Sequence, residues 1–445
     1  MTHSRTLYRS VGKSIVGRYA VYAVNLLSMM ILARIFTPQE FGTVASIGVF
    51  YLFFQMMAEA GLGPAIINID KLDKKNRNGL FGLTLAAGAI LGLIFYLSTP
   101  LFVNFYQQPH VKDVIPFVSV ALFFFSASIV PTAFLLRDQA FFRIANAGVA
   151  SEVISTAATL ILSKFVDPLY ALASKAIFSS ATNFIAIYVF SNATEFGRPR
   201  WGTQFSAIKP LLSFSSYQFS FNFINYFARN LDNILVGKYM GVLSLGIYDK
   251  AYQLMRYPLM LLTFAMTPAI QPVIRQYAAD KEKVSAIHQD FTFKLSLVGA
   301  AAGLVIFSLS EWIVQLMLGS QWHAVVPIIQ VLAISIPAQV VLSTSGSFFQ
   351  AMNRADLLFY SGLLSTAILV IAISWGIYQR DMISLSWALV AAFHLNFIQA
   401  YYILYTKLLG KGILVFFGRM IPAASITSGM AIWYLFKNTS FPTHI

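Results

Sequence analysis

The sequence predicts an all-α polytopic membrane protein, in which two parallel six-helix lobes form a V around a central cavity, plus about one extra C-terminal helix. Apolar stretches of membrane-spanning length recur along the chain, and a helix needs about 20 mainly apolar residues to cross a bilayer. Of the 445 residues, 58% are hydrophobic and only 11% are charged, and the mean hydropathy is +0.69. A soluble protein of this composition would expose too much apolar surface.

Thirteen apolar segments account for this composition. Segment 79–98 is typical because it contains no charged residue. Segments 242–272 and 324–352 are longer and contain internal prolines, which predict helices that are kinked or extend beyond the bilayer. The predicted spans are 15–36, 41–63, 79–98, 114–136, 148–166, 169–191, 213–238, 242–272, 292–317, 324–352, 358–379, 382–406 and 413–436.

The basic residues predict the orientation in the membrane. Alternate loops hold 20 of the 31 Lys and Arg residues, whereas the opposite loops hold five. Cytoplasmic loops carry the excess of basic residues, so we expect a cytoplasmic N-terminus. The first apolar run is long, contains Arg34 and lacks a small-residue cleavage site, so it is interpreted as a helix and not as a signal peptide. The opposite loops contain Lys112, Lys164, Lys238, Arg380 and Lys437.

An internal repeat appears when the chain is offset by 204 residues. The matches include Tyr22 with Tyr226, Leu27 with Leu231, Gly42 with Gly246, Met56 with Met260, and Pro64-Ala65-Ile66 with Pro268-Ala269-Ile270. Six spans per copy give both copies the same orientation, and transporters built from parallel repeats bind substrate between them. We therefore predict lobes at 1–191 and 213–406, a cytoplasmic linker at 192–212, and an extra helix and tail at 407–445.

Charged residues inside predicted spans are candidates for a functional site, because a charge at the bilayer centre is costly unless it faces protein or water. The cationic candidates for substrate binding are Arg256, Arg229, Lys250, Arg34 and Lys175. The candidates for ion coupling or ion pairing are Asp232, Asp249 and Glu59. Arg256 lies nearest the middle of its span.

Simpler roles compete with substrate binding at each position. Arg229 and Asp232 are three residues apart on one helical face, where they could neutralise each other. Lys250, Lys175 and Arg34 lie towards the ends of their spans, where long side chains extend to the lipid headgroups. If several cations converge, the cavity suits an anion such as a diphosphate.

Other features limit the chemistry. The chain has no P-loop motif, no HExxH motif and no cysteine, so we expect no cofactor, no metal site and no P-loop ATP hydrolysis. The net charge of +14 is distributed over membrane loops, and we expect no nucleic-acid partner. Tyrosines beside the candidate charges could stack on sugar rings, although anchoring at the membrane interface is an alternative.

Two blocks resemble a known family: LARIFTPQEFGTVASIGVFYLFFQMMAEAGLGPAIIN at 32–68 and RNLDNILVGKYMGVLSLGIYDKAYQLMRYPLMLLTFAMTPAIQPVI at 229–274. They resemble the polysaccharide transporter branch of the multidrug/oligosaccharidyl-lipid/polysaccharide exporter superfamily. Within that branch they are most similar to the colanic acid exporter and teichuronic acid translocase group. The resemblance extends over residues 10–436. Arg229 and Asp232 match an Arg-x-x-Asp motif, and Asp249 and Lys250 match a polar pair.

The resemblance implies a flippase of the bacterial inner membrane that is not an enzyme. Such a protein translocates undecaprenyl-diphosphate-linked oligosaccharide repeat units for exopolysaccharide, capsule or O-antigen biosynthesis. The implied partners are this lipid-linked substrate, membrane lipids and, as further candidates, the polysaccharide polymerase and chain-length machinery. Relatives often carry fourteen spans, whereas thirteen are predicted here.

Two alternatives remain open. A cation-coupled small-molecule or drug exporter of the same superfamily would share the fold, and its cavity would be more acidic. A membrane-embedded polysaccharide polymerase would carry catalytic side chains on a sizeable outer loop. The longest predicted outer loop, 99–113, offers only His110, Lys112 and Asp113.

Overall fold

The structure, a computed structural model, describes residues 2–59, 61–67, 72–204, 226–227, 230–264 and 267–440. Every regular element in these ranges is helical, as predicted for the fold class. The α-helices are α1 Thr2–Ala33, α2 Pro38–Glu59, α3 Leu62–Ile67, α4 Lys74–Leu97, α5 Thr99–Tyr106, α6 Val111–Arg137, α7 Phe141–Leu162, α8 Pro168–Phe190, α9 Gly241–Phe264, α10 Thr267–Arg275, α11 Lys281–Ser308, α12 Ser310–Met317, α13 Val325–Ala333, α14 Ile336–Leu342, α15 Ser345–Ala351, α16 Ala355–Tyr378, α17 Met382–Ile403 and α18 Leu414–Ser440. Residues 231–239 are also helical.

The described residues contain ten helices that are long and apolar enough to cross a membrane. A bent pair, Val325–Ala333 and Ile336–Ala351, adds an eleventh if it is counted as one span, and its bend of 54° confirms the kink predicted in 324–352. Most of predicted span 213–238 lies outside the described residues. Predicted span 242–272 forms α9 and α10; α9 is not among the ten, and it contains three charged residues. The chain is therefore a multi-pass membrane protein.

Several long helices begin at an aspartate. The carboxylate of Asp73 accepts a hydrogen bond from the Asn76 amide at the start of α4, and that of Asp280 accepts one from the Lys283 amide at the start of α11. Asp167 and Asp381 cap α8 and α17 in the same way. Each carboxylate satisfies an amide that has no partner inside its helix, so these residues define where the helices start.

The chain divides into two compact units, residues 1–246 and 247–445. In the first unit, α6 packs against α4 and α8, and α7 packs against α1 and α8. In the second unit, α11 packs against α14 and α18, and α16 packs against α17. The outer faces of both units present large apolar side chains, such as Leu101, Ile161 and Ile371, which suits contact with lipid. The predicted lobe boundaries stay a prediction.

The repeat-related residues Gly42 and Gly246 lie against each other inside the first unit. A Cβ atom added to Gly42 would lie 1.7 Å from the carbonyl oxygen of Val242, and one added to Gly246 would lie 1.9 Å from that of Pro38. Pro38 and Val242 are themselves 204 residues apart. The contact is thus reciprocal. Helix α2 and the first turns of α9 approach this closely only because neither glycine has a side chain.

Candidate functional site

One face of helix α9 carries a chain of hydrogen-bonded polar side chains. Lys250 Nζ donates to Asp249 Oδ2 at 3.2 Å and to Gln253 Oε1 at 3.1 Å. Gln253 Nε2 in turn donates to the Tyr257 hydroxyl at 3.2 Å. Positions 250, 253 and 257 lie on one helical face, since they are three and four residues apart. The Lys250 side chain is only 8% exposed, so its ammonium is held by these partners and does not extend to the headgroups.

Arg256 lies on an exposed part of the same helix. Its guanidinium carbon is 4.6 Å from the centroid of the Tyr252 ring, within the range of a cation–π interaction. The Tyr252 and Tyr248 rings are 5.6 Å apart, and Tyr248 is fully buried. The tyrosine pair therefore holds the guanidinium in place while leaving it accessible to an anion.

The second unit fixes α9 through its apolar face. Tyr248, Ala251 and Met255 are fully buried there, and Gln339 Nε2 on α14 lies 3.3 Å from the Met255 sulfur. The same amide donates to the Ser335 hydroxyl at 2.8 Å, at the break between α13 and α14. Because these contacts immobilise the helix, the positions of Lys250 and Arg256 are set by packing.

Lys175 forms an ion pair inside the first unit. Its Nζ lies 2.7 Å from Glu152 Oε1, which joins α8 to α7, and the two side chains are 24% and 12% exposed. One turn further along α7, the Thr156 hydroxyl lies 2.5 Å from the Ser28 hydroxyl on α1. Glu152 therefore neutralises Lys175 within the bundle. The predicted role of Lys175 in substrate binding stays a prediction.

Breaking the Glu152–Lys175 pair is expected to destabilise the protein. Glu152→Gln or Lys175→Met should each lower the free energy of unfolding by about 2 kcal/mol, because each leaves a partly buried charge without its partner. The double variant should be more stable than the sum of the single changes implies. Thermal unfolding of the purified protein in detergent measures this, and Lys164→Gln in the exposed loop after α7 serves as the control. Additive losses would show that the pair is not coupled.

The remaining predicted residues lie in the first unit or outside the described residues. Asp232 is 5% exposed and its carboxylate accepts a hydrogen bond from the Asn233 amide at 2.8 Å. Arg34 follows the end of α1 and Glu59 ends α2, and both are exposed. Arg229 lies outside the described residues, so its pairing with Asp232 stays a prediction.

The sequence did not point to Gln253 as a member of this face. Its amide joins Lys250 to Tyr257, and its spacing of three residues from Lys250 was the available signal. Asp249, Tyr252 and Arg256 lie on the neighbouring side of the helix, so its polar surface combines two cations with one carboxylate and several tyrosines. The exposed Arg256 can therefore bind an anionic group, and the tyrosines can present aromatic rings to a sugar. Within the described ranges, no three His, Asp or Glu side chains are grouped as a metal site would need.

The chain matches the model of a protein family described as "Polysaccharide biosynthesis protein" over residues 31–327. It belongs to this family. Among curated relatives, it is 26% identical to the teichuronic acid biosynthesis protein TuaB of Bacillus subtilis, over 78% of this chain and 72% of that protein. It is 22% identical to the lipopolysaccharide biosynthesis protein WzxC of Escherichia coli, over 89% of this chain and 80% of that protein. The suspected polysaccharide transporter group is thus confirmed.

Solved transporter structures share the fold. The lipid II flippase MurJ superposes with a TM-score of 0.70 at 11% identity, covering 95% of this chain and 98% of MurJ. A multidrug resistance transporter of the MATE family superposes with a TM-score of 0.63 at 11% identity, covering 85% of this chain and 93% of that transporter. At these identities the likeness shows the fold alone, and it confirms the predicted polytopic α-helical class for this family member.

Proposed function

We propose that this protein translocates a lipid-linked oligosaccharide across the bacterial inner membrane, as a flippase for surface polysaccharide biosynthesis. The observation that carries the proposal is the face of α9, where Lys250 and the exposed Arg256 lie among tyrosines on a helix that the second unit holds fixed. Family membership supports the assignment to polysaccharide biosynthesis. The relatives are named for teichuronic acid and lipopolysaccharide, both of which are surface polymers.

The chemistry of α9 suits an undecaprenyl-diphosphate-linked sugar. A diphosphate presents several anionic oxygens, which a guanidinium recognises with paired hydrogen bonds. Lys250 already contacts Asp249 and Gln253, so Arg256 supplies the accessible charge and Lys250 a fixed positive potential. The rings of Tyr252 and Tyr257 can stack on sugar rings, whose C–H faces are apolar. The lipid tail would remain in the bilayer.

The distribution of basic residues bears on the side from which the substrate would enter. The basic loops support a cytoplasmic N-terminus, and the substrate would then approach from the inner leaflet. No enzymatic step is needed for translocation. The polysaccharide polymerase and chain-length machinery would act on the product at the outer side.

A cation-coupled exporter of small molecules is the second candidate, since a multidrug transporter shares the fold. The carboxylates argue against it. Glu152 contacts Lys175 at 2.7 Å and Asp249 contacts Lys250 at 3.2 Å. A cation site on either carboxylate would first require displacing a lysine, whereas Arg256 is exposed and accessible to an anion.

Deleting the gene tests the proposal. We expect completed lipid-linked repeat units to accumulate in the inner leaflet while surface polymer disappears, and the intact gene should restore both. The measurements are mass spectrometry of extracted lipid-linked oligosaccharides and quantification of surface polysaccharide. Unchanged lipid pools and polymer, together with a gain in drug susceptibility, would favour the exporter instead.

A further inference from the structure

One end of the first unit is covered by residues 191–204, which follow α8. The Phe196 carbonyl accepts a hydrogen bond from Arg77 Nη1 at 2.5 Å, and the Arg200 amide donates to Asn78 Oδ1 at 2.9 Å. The Tyr188 hydroxyl donates to the Pro199 carbonyl at 3.0 Å. A Cβ atom added to Gly79 would lie 1.6 Å from the Gln204 carbonyl oxygen, so the two backbones are in close contact. This segment is therefore fixed against the start of α4 and the end of α8.

Five arginines converge where this segment meets the helix ends. They come from the first turn of α4, the last turn of α6, the first turn of α7 and the segment itself: Arg77, Arg137, Arg143, Arg198 and Arg200. We call these residues the arginine cluster. Contacts between elements bring them together: Arg137 lies over the Phe196 ring at 4.5 Å, and Arg143 Nη1 donates to the Ala193 carbonyl at 3.5 Å.

Among the described residues, fewer carboxylates than guanidinium groups lie at this end. Glu195 Oε2 lies 3.9 Å from Arg137 Nε, and Asp138 Oδ2 accepts a hydrogen bond from the Glu195 amide at 2.9 Å. Three carboxylates of the described residues, those of Glu195, Asp138 and Asp73, thus lie at this end beside five guanidinium groups. An added anion would offset the remaining positive charge at this end.

Two arginines of the cluster are more buried than basic residues that only set the orientation of the protein in the membrane. Basic residues that only set membrane orientation can lie anywhere on an exposed loop. Arg77 is instead only 9% exposed. The Arg198 guanidinium lies 5.1 Å from the centroid of the Tyr188 ring, and its Nε is buried and makes no hydrogen bond to the described residues. A buried donor without an acceptor is costly, and an anionic oxygen would satisfy it.

We propose that the arginine cluster binds the phosphate group of a membrane lipid at the cytoplasmic face, with the diphosphate of the incoming lipid-linked substrate as its principal ligand. Guanidinium groups recognise phosphate oxygens in pairs, and basic pockets between helix ends on the cytoplasmic side bind lipid headgroups. This site is separate from α9, and the identity of its principal ligand rests on the proposed function. It would collect substrate before translocation begins.

Binding of defined lipids to the full-length protein in non-ionic detergent tests the proposal. Native mass spectrometry would compare undecaprenyl diphosphate, undecaprenol, phosphatidylglycerol and inorganic diphosphate. The double variant Arg198→Gln/Arg200→Gln should weaken binding of undecaprenyl diphosphate about tenfold, which is the loss of one good charge-assisted contact. Binding of undecaprenol should not change. Arg198→Lys/Arg200→Lys keeps the charge and should recover part of the affinity.

Lys281→Gln is the matched control, because Lys281 is an exposed cation at the start of α11, on the same predicted side of the membrane. An equal loss for phosphatidylglycerol supports the site and assigns it to lipid phosphates in general. Unchanged binding in the Arg198→Gln/Arg200→Gln variant, or an equal loss in the control, overturns the proposal. Binding of free diphosphate as tight as that of the lipid overturns it too.

The flippase proposal and the cluster can fail separately. If the wild-type gene restores surface polymer in the deletion strain but the cluster variants bind lipid normally, the function stands and the cluster has no such role. If lipid binding depends on the cluster but lipid-linked repeats never accumulate in the deletion strain, the site stands and the flippase assignment fails.

Discussion

Replacing Arg256 by glutamine is expected to reduce surface polysaccharide at least about tenfold, while the amount of protein in the membrane stays the same. The guanidinium is exposed and contacts the Tyr252 ring at 4.6 Å, so its removal takes no partner from the packed interior. A charge-assisted contact to a phosphate contributes about 1.5–3 kcal/mol, and 1.4 kcal/mol corresponds to tenfold in rate. Surface polymer and membrane-fraction immunoblots would be measured in the deletion strain carrying each variant.

Two further variants complete this test. Arg256→Lys retains the charge but loses the paired donors, so it should restore export only in part. Lys294→Gln removes an exposed cation that pairs with Asp290 at 2.7 Å on the surface of α11, and it should leave export unchanged. Normal polymer from Arg256→Gln at normal protein levels would remove Arg256 from the substrate site.

Replacing Gly42 by alanine is expected to lower the stability of the protein by about 3 kcal/mol. The new methyl carbon would lie 1.7 Å from the Val242 carbonyl oxygen, a backbone atom that no side-chain rotation can move. Helix α2 must then shift away from α9, and overpacking of this kind typically costs about 1–3 kcal/mol or more. Gly246→Ala should have an effect of similar size, because its methyl would lie 1.9 Å from the Pro38 carbonyl oxygen.

Gly48→Ala provides the control on the same helix. No atom lies within 4 Å of a Cβ added there, so alanine should leave stability unchanged or raise it by up to about 1 kcal/mol, through its higher helix propensity. The measurement is the unfolding temperature in detergent. If the Gly42→Ala and Gly48→Ala variants unfold at the same temperature, α2 and α9 do not approach each other as closely as described.

The sequence predicted the spanning helices well, because each is a local property of its own residues. Predicted segment 79–98 corresponds to Lys74–Leu97, and 358–379 corresponds to Ala355–Tyr378. The proline-containing segment 324–352 is indeed broken, with Pro337 in the first turn of its second part. Helix ends were less accurate, since caps such as Asp73 and Asp280 add a polar first turn that hydropathy does not detect.

Contacts among the candidate residues follow from the sequence only where the residues are close in the chain. Asp249 and Lys250 are neighbours and form an ion pair, whereas their role in a substrate site stays a prediction. Glu152 and Lys175 lie on different helices 23 residues apart, so helical spacing alone did not join them. The arginine cluster could not be predicted from the sequence either. Basic loop residues are expected of any membrane protein, and the burial of these arginines depends on how residues 191–204 pack.

The reciprocal contact of Gly42 and Gly246 has a consequence for how such a chain can arise. If a half-length ancestor associated as a symmetric dimer, one codon specified both glycines, and any larger residue would have introduced two clashes at once. After gene fusion, each position could mutate alone and cause only one of them. The two halves were then free to diverge in side chains, so that Arg34 now corresponds to Lys238 while the reciprocal backbone contact of the two glycines is retained.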